Sequence, residues 1–367
     1  MPSLVIDRAT EEDDEEIRSL LRRMPMEGDI RLTFEREPDS RLSATIEGDR
    51  HHAFVAKDAQ GRIRGLCSRS VRPVWLNGRP ARVGYLGQLR LEVPLGGSLR
   101  PIVDGFAACS LTRQSDELPF DLTSIMSDNR RARRVLERGL SGLPRYRQLS
   151  GFKTFLFTGR QRARRSDPAL RIERASPDAA PRIASFLQSQ YQRFQFAPVW
   201  SESDLASEEV TRDLRIDDFL VATMEERIVG CAALWDQSRF RQTVVRGYSS
   251  RLGRARHLVN LGMKLTGRPL LPEVGSPIRF GAISHFAVDV DSPDVALSLL
   301  GEIIQVASTK AFDYVVLGLA DGHPLSGVVE DSLVSRTLSS ILYTVHYDGA
   351  DMPAPDGRPA HVEVATL

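Results

Sequence analysis

Residues 4–24 read LVIDRATEEDDEEIRSLLRRM, and residues 170–190 read LRIERASPDAAPRIASFLQSQ. The two stretches follow one plan. Val5 to Arg8 predict a short strand, Thr10 an N-cap, and the acids behind it suit the positive end of a helix. Ile17, Leu20, Leu21 and Met24 recur at helical spacing and give that helix one apolar face. In the second stretch Ile172, Arg174 and Ala175 stand where Ile6, Arg8 and Ala9 stand in the first. Ile183 and Leu187 answer Ile17 and Leu21, with Ser176 as the cap and Pro177 as the first helical residue.

Two further matches recur in the same order. His52 to Cys67 (HAFVAKDAQGRIRGLC) predicts two strands about a turn, and Phe219 to Cys231 (FLVATMEERIVGC) repeats it: Val55 and Ala56 match Val221 and Ala222, and Gly65 matches Gly230. Gly84 to Val93 (GYLGQLRLEV) resembles Gly281 to Val290 (GAISHFAVDV). Each is followed by an expected helix and a strand, near Leu122 to Met126 and Tyr314 to Leu319. Ordered matches of this kind argue for duplication. The strands of each meander follow one another without intervening helices, which excludes a TIM barrel and a Rossmann domain. The expectation is an α/β (α+β) chain of two tandem folds, each a mixed, mainly antiparallel sheet flanked by helices.

The 367 residues suit two cores. The expected division is residues 1–160 and 169–367, with a boundary near Pro168 and an arginine cluster, Arg160 to Arg165, read as a solvated linker or as an anion or phosphate contact. A late proline-rich loop precedes an expected last strand, His361 to Thr366. Lys plus Arg total 49 against 48 Asp plus Glu, a balance that gives no case for DNA or an anionic membrane as partner. Cys67, Cys109 and Cys231 lack any C-x-x-C pair and suit neither a disulfide framework nor a zinc site. The acidic opening residues lack the apolar run of a signal peptide, and no stretch is long enough to span a bilayer, so a cytoplasmic location is expected.

On these motifs and their order, the chain resembles the GNAT superfamily of N-acetyltransferases over most of residues 3–158, and again, more faintly, over 170–366. The resemblance implies that the fourth strand splays from the fifth, that acyl-CoA lies in the gap, and that amides of the following loop and helix hold its pyrophosphate. The implied cofactor residues are Leu91, Val93, Gly96, Gly97, Ser98, Leu99 and Arg100, with Asn129 at the next helix start. The loop departs from the family's glycine pattern: Leu99 and Pro101 take its two motif glycines, and only Gly97 keeps a loop glycine. The second copy offers Val288 to Asp294, with three carboxylates and no glycine, and no CoA is expected there.

Acyl transfer to an amine needs a proton acceptor for the amine and a donor for the departing thiolate. Strand alternation places Leu86, Gln88, Arg90 and Glu92 on one face of the fourth strand and Tyr85, Leu89, Leu91 and Val93 on the other. Glu92 is the candidate base, and Gln88 a hydrogen-bonding partner for substrate or backbone. The family's acid tyrosine falls near Leu136, which cannot donate a proton, and Tyr146 is the nearest replacement. His285 shares a face with Asp289 in the second copy, a pair read as a base or, more simply, as structural. Tyr191, Phe194, Phe196 and Trp200 read as packing or as a substrate pocket.

The function implied is an acyl-CoA-dependent N-acyltransferase, with acetyl-CoA or another acyl-CoA as co-substrate and no metal. The acceptor would be a small amine or a peptide N-terminus, and a homodimer is compatible with this reading. Two alternatives stay open: an inactive tandem fold that senses a ligand or binds a protein, and a Fem-type aminoacyltransferase, which would need a basic groove for tRNA.

Overall fold

The computed structural model describes residues 4–92, 99–158, 168–289, 292–310, 312–333, 335–347 and 355–367. The first half runs β1 (Val5–Arg8), α1 (Asp14–Arg23), β2 (Ile30–Glu35), α2 (Ala44–Glu47), β3 (Arg50–Lys57), β4 (Ile63–Leu76), β5 (Arg79–Leu91), α3 (Arg100–Ser110), β6 (Glu117–Met126), α4 (Arg130–Leu136) and β7 (Arg145–Phe157). The second runs β8 (Arg171–Arg174), α5 (Ala180–Tyr191), α6 (Glu202–Leu205), β9 (Phe219–Met224), β10 (Arg227–Trp235), β11 (Gln242–Tyr248) and α7 (Ser250–Thr266). It continues with β12 (Pro277–Ile278), β13 (Phe280–Val288), α8 (Pro293–Thr309), β14 (Tyr314–Ala320), α9 (Pro324–Ser332) and β15 (Ser335–His346).

The expected strand–helix openings form as the patterns dictate. Thr10 and Asp13 close the start of the first helical segment, the Thr10 N–H donating to Asp13 Oδ2 at 2.9 Å. Ile17, Leu20 and Leu21 of α1 then bury against Val55, Ile63 and Leu66. In the second half Ile183, Ala184 and Leu187 of α5 pack against Phe219, Cys231 and Trp235. Removing such aliphatic side chains from water stabilises by roughly 1.5–3 kcal/mol each.

The halves share one twelve-stranded sheet of order β1-β3-β4-β5-β6-β15-β7-β14-β13-β10-β9-β8. The order reads as two copies of one five-strand array facing each other, joined by an exchange of their last strands. β15 of the second half pairs antiparallel with β6 of the first, and β7 of the first pairs antiparallel with β14 of the second. β7 and β15 pair with each other along Ser335↔Phe157 to His346↔Arg145. Pairing is antiparallel throughout except at β5–β6 and β13–β14. A smaller sheet, β12-β11-β2, ties β2 of the first half to β11 of the second. Among the described residues no helix is long and apolar enough to cross a membrane.

Two expectations are corrected. His361 to Thr366 do not form a strand; Val364–Thr366 is a 3-10 turn that packs on β13. The sheet positions beside β6 and β14 are taken by β15 and β7, so the tail does not extend the sheet there. The strict alternation along β5 also fails. Leu66 of β4 lies opposite Arg90 and Ser68 opposite Gly87, so β5 carries one extra residue, and Gln88 adopts φ 54°. A bulge of this kind reverses the side-chain parity beyond it.

Candidate active site

The site begins where β5 and β6 part. They are in register at Arg82↔Glu117, Gly84↔Asp121 and Tyr85↔Leu122, and beyond that they no longer pair. β5 continues to Leu91 held by β4 on its other edge, and β6 continues to Met126 held by β15. The facing edges therefore carry backbone groups free of sheet partners. The closed end is clamped by Arg69, whose side chain is fully buried. Its Nη2 lies 2.9 Å from Asp121 Oδ1, its Nε 3.0 Å from Asp121 Oδ2, and it also pairs with Glu117. Gly84 is required here, because a Cβ at that position would sit 2.2 Å from Asp121 Oδ1. Just past the apex the Thr123 hydroxyl donates to the Leu86 carbonyl at 2.7 Å, and the Tyr85 hydroxyl meets Ser124 Oγ at 2.7 Å.

The wedge opens into a cavity of about 790 Å³, within the usual range for ligand pockets. One side is walled by α3 and the region around α4, with Ile102, Gly105, Phe106 and Leu136 in the lining. The other side comes from β2 and from the second half, including Phe34, Arg36, Gln237, Arg241 and Phe280. The cavity is thus built by both halves.

Helix α3 starts at the mouth of the wedge. Leu99 is its N-cap residue and has no side-chain oxygen to give. No acidic residue occupies the first turn, and Pro101 sits near its start. Among the described residues no side chain caps this end, the arrangement that favours an anion at a helix start. Arg100 is 85% exposed and lies 3.5 Å from Asp104. Leu91 lines the cavity, as do Asn129 and Ala132. Asn129 caps α4, accepting the Ala132 N–H at 3.1 Å. Val93, Gly96, Gly97 and Ser98 lie outside the described residues, as do Arg160 to Arg165.

The three candidate catalytic residues part company. Gln88 lines the cavity at the bulge. Tyr146 also lines it, packed edge-on against Phe106 at 6.3 Å, and its hydroxyl has no hydrogen-bond partner among the described residues. Burial, reinforced by the charge of Asp121, pushes its phenol well above the ordinary range and keeps it protonated. Glu92 does not reach the cavity lining. Its carboxylate lies 2.7 Å from Arg23 Nε and 2.9 Å from Arg64 Nη1. Burial acts to raise its pKa, but the hydrogen bonds and charges of those two arginines outweigh it and hold the pKa below the usual range.

The sequence reading missed a buried charge cluster on the far side of the wedge. Glu47, 8% exposed, receives Arg241 Nη2 at 3.0 Å and has Arg36 Nη2 at 3.5 Å. Burial pushes the Glu47 carboxyl up, and Arg241, Arg36 and His51 outweigh it and hold it ionised. These residues come together through the β2–β11 pairing, in which Gln242 faces Glu35. No local motif signals a contact between residues so far apart in the chain.

The second half repeats the geometry and fills it. β13 and β14 pair only at Phe280↔Tyr314, Gly281↔Val315 and Ala282↔Val316, and His285 repeats the bulge with φ 53°. Here the His285 N–H donates to Glu363 Oε1, and Trp200 Nε1 donates to Glu363 Oε2 at 3.2 Å. The His285–Asp289 pairing is not formed. His285 is wholly buried with Nδ1 2.9 Å from Ser284 Oγ, while Asp289 faces Arg227 at 3.5 Å. Burial, then Arg72, pushes His285 down to about 3, so it is neutral. The aromatic stretch is packing: Tyr191 and Phe196 are buried, and the Trp200 ring lies 4.3 Å from the His285 ring.

Neither a protein-family profile nor a curated protein sequence matches the chain. Solved structures do. A fungal GCN5-related glucosamine N-acetyltransferase region of a multi-domain GH3 beta-N-acetylglucosaminidase superposes with TM-score 0.61 at 12% identity, covering 94% of this chain and 38% of that one. The chain thus spans well under half the length of the fungal protein. A GCN5-related N-acetyltransferase from Sphaerobacter thermophilus gives TM-score 0.55 at 12% identity, covering 99% of this chain and 98% of that one. Saccharomyces cerevisiae N-myristoyltransferase with bound myristoyl-CoA gives 0.59 at 11% identity, covering 98% and 89%. The likeness is one of fold.

Proposed function

We propose that this chain, which has the GNAT fold, is an acyl-CoA-dependent N-acyltransferase that binds its acyl-CoA in the first-half wedge. The observation that carries the reading is the open gap between β5 and β6, bulged at Gln88, leading from the start of α3 into a cavity of about 790 Å³. The second wedge supports it by internal analogy. There the bulge N–H of His285 holds an oxygen of Glu363. The corresponding N–H of Gln88 is the donor we assign to the acyl carbonyl, where it would stabilise the developing oxyanion.

In the reaction the acceptor nitrogen bonds the acyl carbon and the C–S bond breaks. The sulfur keeps the bonding pair and takes a proton, and the amine loses one. Tyr146, protonated and without a hydrogen-bond partner among the described residues, is the hydroxyl we place against the departing thiolate. The pyrophosphate falls to the amides at the start of α3. The acceptor enters from the side formed by β2 and the second half, and a small amine or a peptide N-terminus is its expected class. The filling of the second wedge supports a single acyl-CoA per chain.

An inactive ligand-sensing fold is the second reading, favoured by Leu136 at the family's tyrosine position. Calorimetric titration with acetyl-CoA, followed by a turnover assay on amine mixtures read by mass spectrometry, separates the two. The proposal expects one CoA per chain and an acylated amine. Binding without any acylated product, or absence of binding to acetyl-CoA and longer thioesters, overturns the transferase reading and favours the inactive fold.

A further inference from the structure

The lining of the cavity brings together three guanidinium groups, Arg36, Arg90 and Arg241, and one buried carboxylate, Glu47. The other side-chain carboxylates of the lining, Glu27 and Asp128, are exposed. Arg241 is accounted for: it pairs with Glu47 at 3.0 Å and donates to the Ala365 carbonyl at 2.9 Å. Arg36 is held loosely, 3.5 Å from Glu47 and 3.4 Å from the Glu35 carbonyl, and its Nε is buried without a partner. Arg90 donates only to the adjacent Leu89 carbonyl at 3.0 Å, and no carboxylate among the described residues pairs with it.

Two cations at one cavity with a share of one carboxylate are costly, because desolvated charges need partners. They also act on each other. Burial, then the charges of Arg241 and Arg90, pushes Arg36 down to about 10, and burial lowers Arg90. An arrangement of this kind is stabilised by a bound anion, and arginine's planar fork suits carboxylate and phosphate oxygens.

We infer that the acceptor amine carries an anionic group, a carboxylate or a phosphate, and that Arg36 and Arg90 bind it. The inference rests on the transferase reading of the same cavity. It makes the acceptor an amino acid, or an amine of similar size bearing a phosphate, in preference to a neutral amine.

The test titrates the full chain, alone and saturated with CoA, with N-acetylglycine, with its neutral counterpart N-acetylglycinamide, and with inorganic phosphate. The expected result is that one of the anions binds the CoA-loaded chain about tenfold or more tightly than the amide, the worth of one charge-assisted hydrogen bond. Arg90→Gln should remove that preference while leaving CoA affinity unchanged and the melting temperature no lower. Arg36→Gln, which leaves Glu47 its closer partner Arg241, should do the same. Equal binding of amide and anions, no binding of either anion at millimolar concentration, or an unchanged preference in Arg90→Gln overturns the inference. So does phosphate that binds only without CoA, since it then reports the pyrophosphate site. A third arm compares malonyl-CoA with acetyl-CoA: if Arg90→Gln weakens malonyl-CoA alone, the anion belongs to the acyl group and the acceptor assignment fails. Loss of CoA binding in the unsubstituted chain defeats the transferase reading, whereas loss of anion preference with CoA bound defeats only this one.

Discussion

Gln88 and His285 occupy the same point of the same strand in the two halves, and both take left-handed backbone angles, φ 54° and 53°. Left-handed backbone is uncommon for residues other than glycine. Its recurrence at both bulges marks the conformation as a built part of the fold, at the point where each strand leaves its parallel neighbour. What differs is the occupant. At His285 the bulge N–H is satisfied from within by Glu363, whereas the bulge at Gln88 faces the open cavity.

Tyr146→Phe removes a hydroxyl that bonds to nothing among the described residues, so the fold loses little. If the proposed transferase reading holds and that hydroxyl serves the departing thiolate, turnover of an amine that the chain is found to acylate falls by about 100-fold. Acetyl-CoA affinity and melting temperature stay the same. Steady-state kinetics beside a calorimetric titration make the comparison, and unchanged kcat would remove Tyr146 from the chemistry.

Glu92→Gln should be nearly silent. The carboxylate sits in ion pairs with Arg23 and Arg64, 25% exposed, and pairs of that kind contribute about 1 kcal/mol or less. The pH profile of kcat/KM should keep its acidic limb. Disappearance of that limb would restore Glu92 as the base.

Arg69→Leu should destabilise the chain by about 3–5 kcal/mol in urea unfolding, because it strands Asp121 and Glu117 inside the protein without their shared cation. Burial acts against the Arg69 charge, and the two carboxylates outweigh it. A loss under 1 kcal/mol would mean that water or Arg113, 3.1 Å from Asp121, takes over the pairing.

Glu363 carries a pH signature. Burial raises its pKa from the ordinary 4.5 to about 7, against the opposing effects of the His285 N–H, Arg72 and Trp200. The folded chain therefore holds a proton that the unfolded chain releases between those values. Its contribution is fully present below the lower value and is lost as pH rises through the upper one. Relative to Glu363→Gln, the unsubstituted chain should lose up to about 1.4 kcal/mol per pH unit across that window. Histidine titration is common to both chains and cancels in the difference. Chemical denaturation of the two at pH 5, 6, 7 and 8 reads the slope, and parallel curves would refute the assignment.

The doubled fold was legible in the sequence because its signals are local. The Ile17–Leu21 and Ile183–Leu187 stripes, the caps and the strand–turn–strand repeats are each written within some twenty residues. The correspondence of Gln88 with His285 in the repeat marks the position of both bulges. The alternation reading passed over it, since period-two reasoning assumes an unbroken ladder.

Sequence alone indicated the repeated strand–helix openings and the strand–turn–strand units of the two halves, since propensity, capping and apolar period act between near neighbours; the expected wedge came from the resemblance to the GNAT superfamily. Tertiary structure decided the rest: the exchange of β7 and β15, the joining of Arg241 to Glu47, the exclusion of Glu92 from the cavity and the filling of the second wedge by Glu363. Each of these depends on which distant segment reaches a free edge or a buried charge. That is settled by closure of the whole sheet and the desolvation of charges within it, and no short-range pattern encodes it.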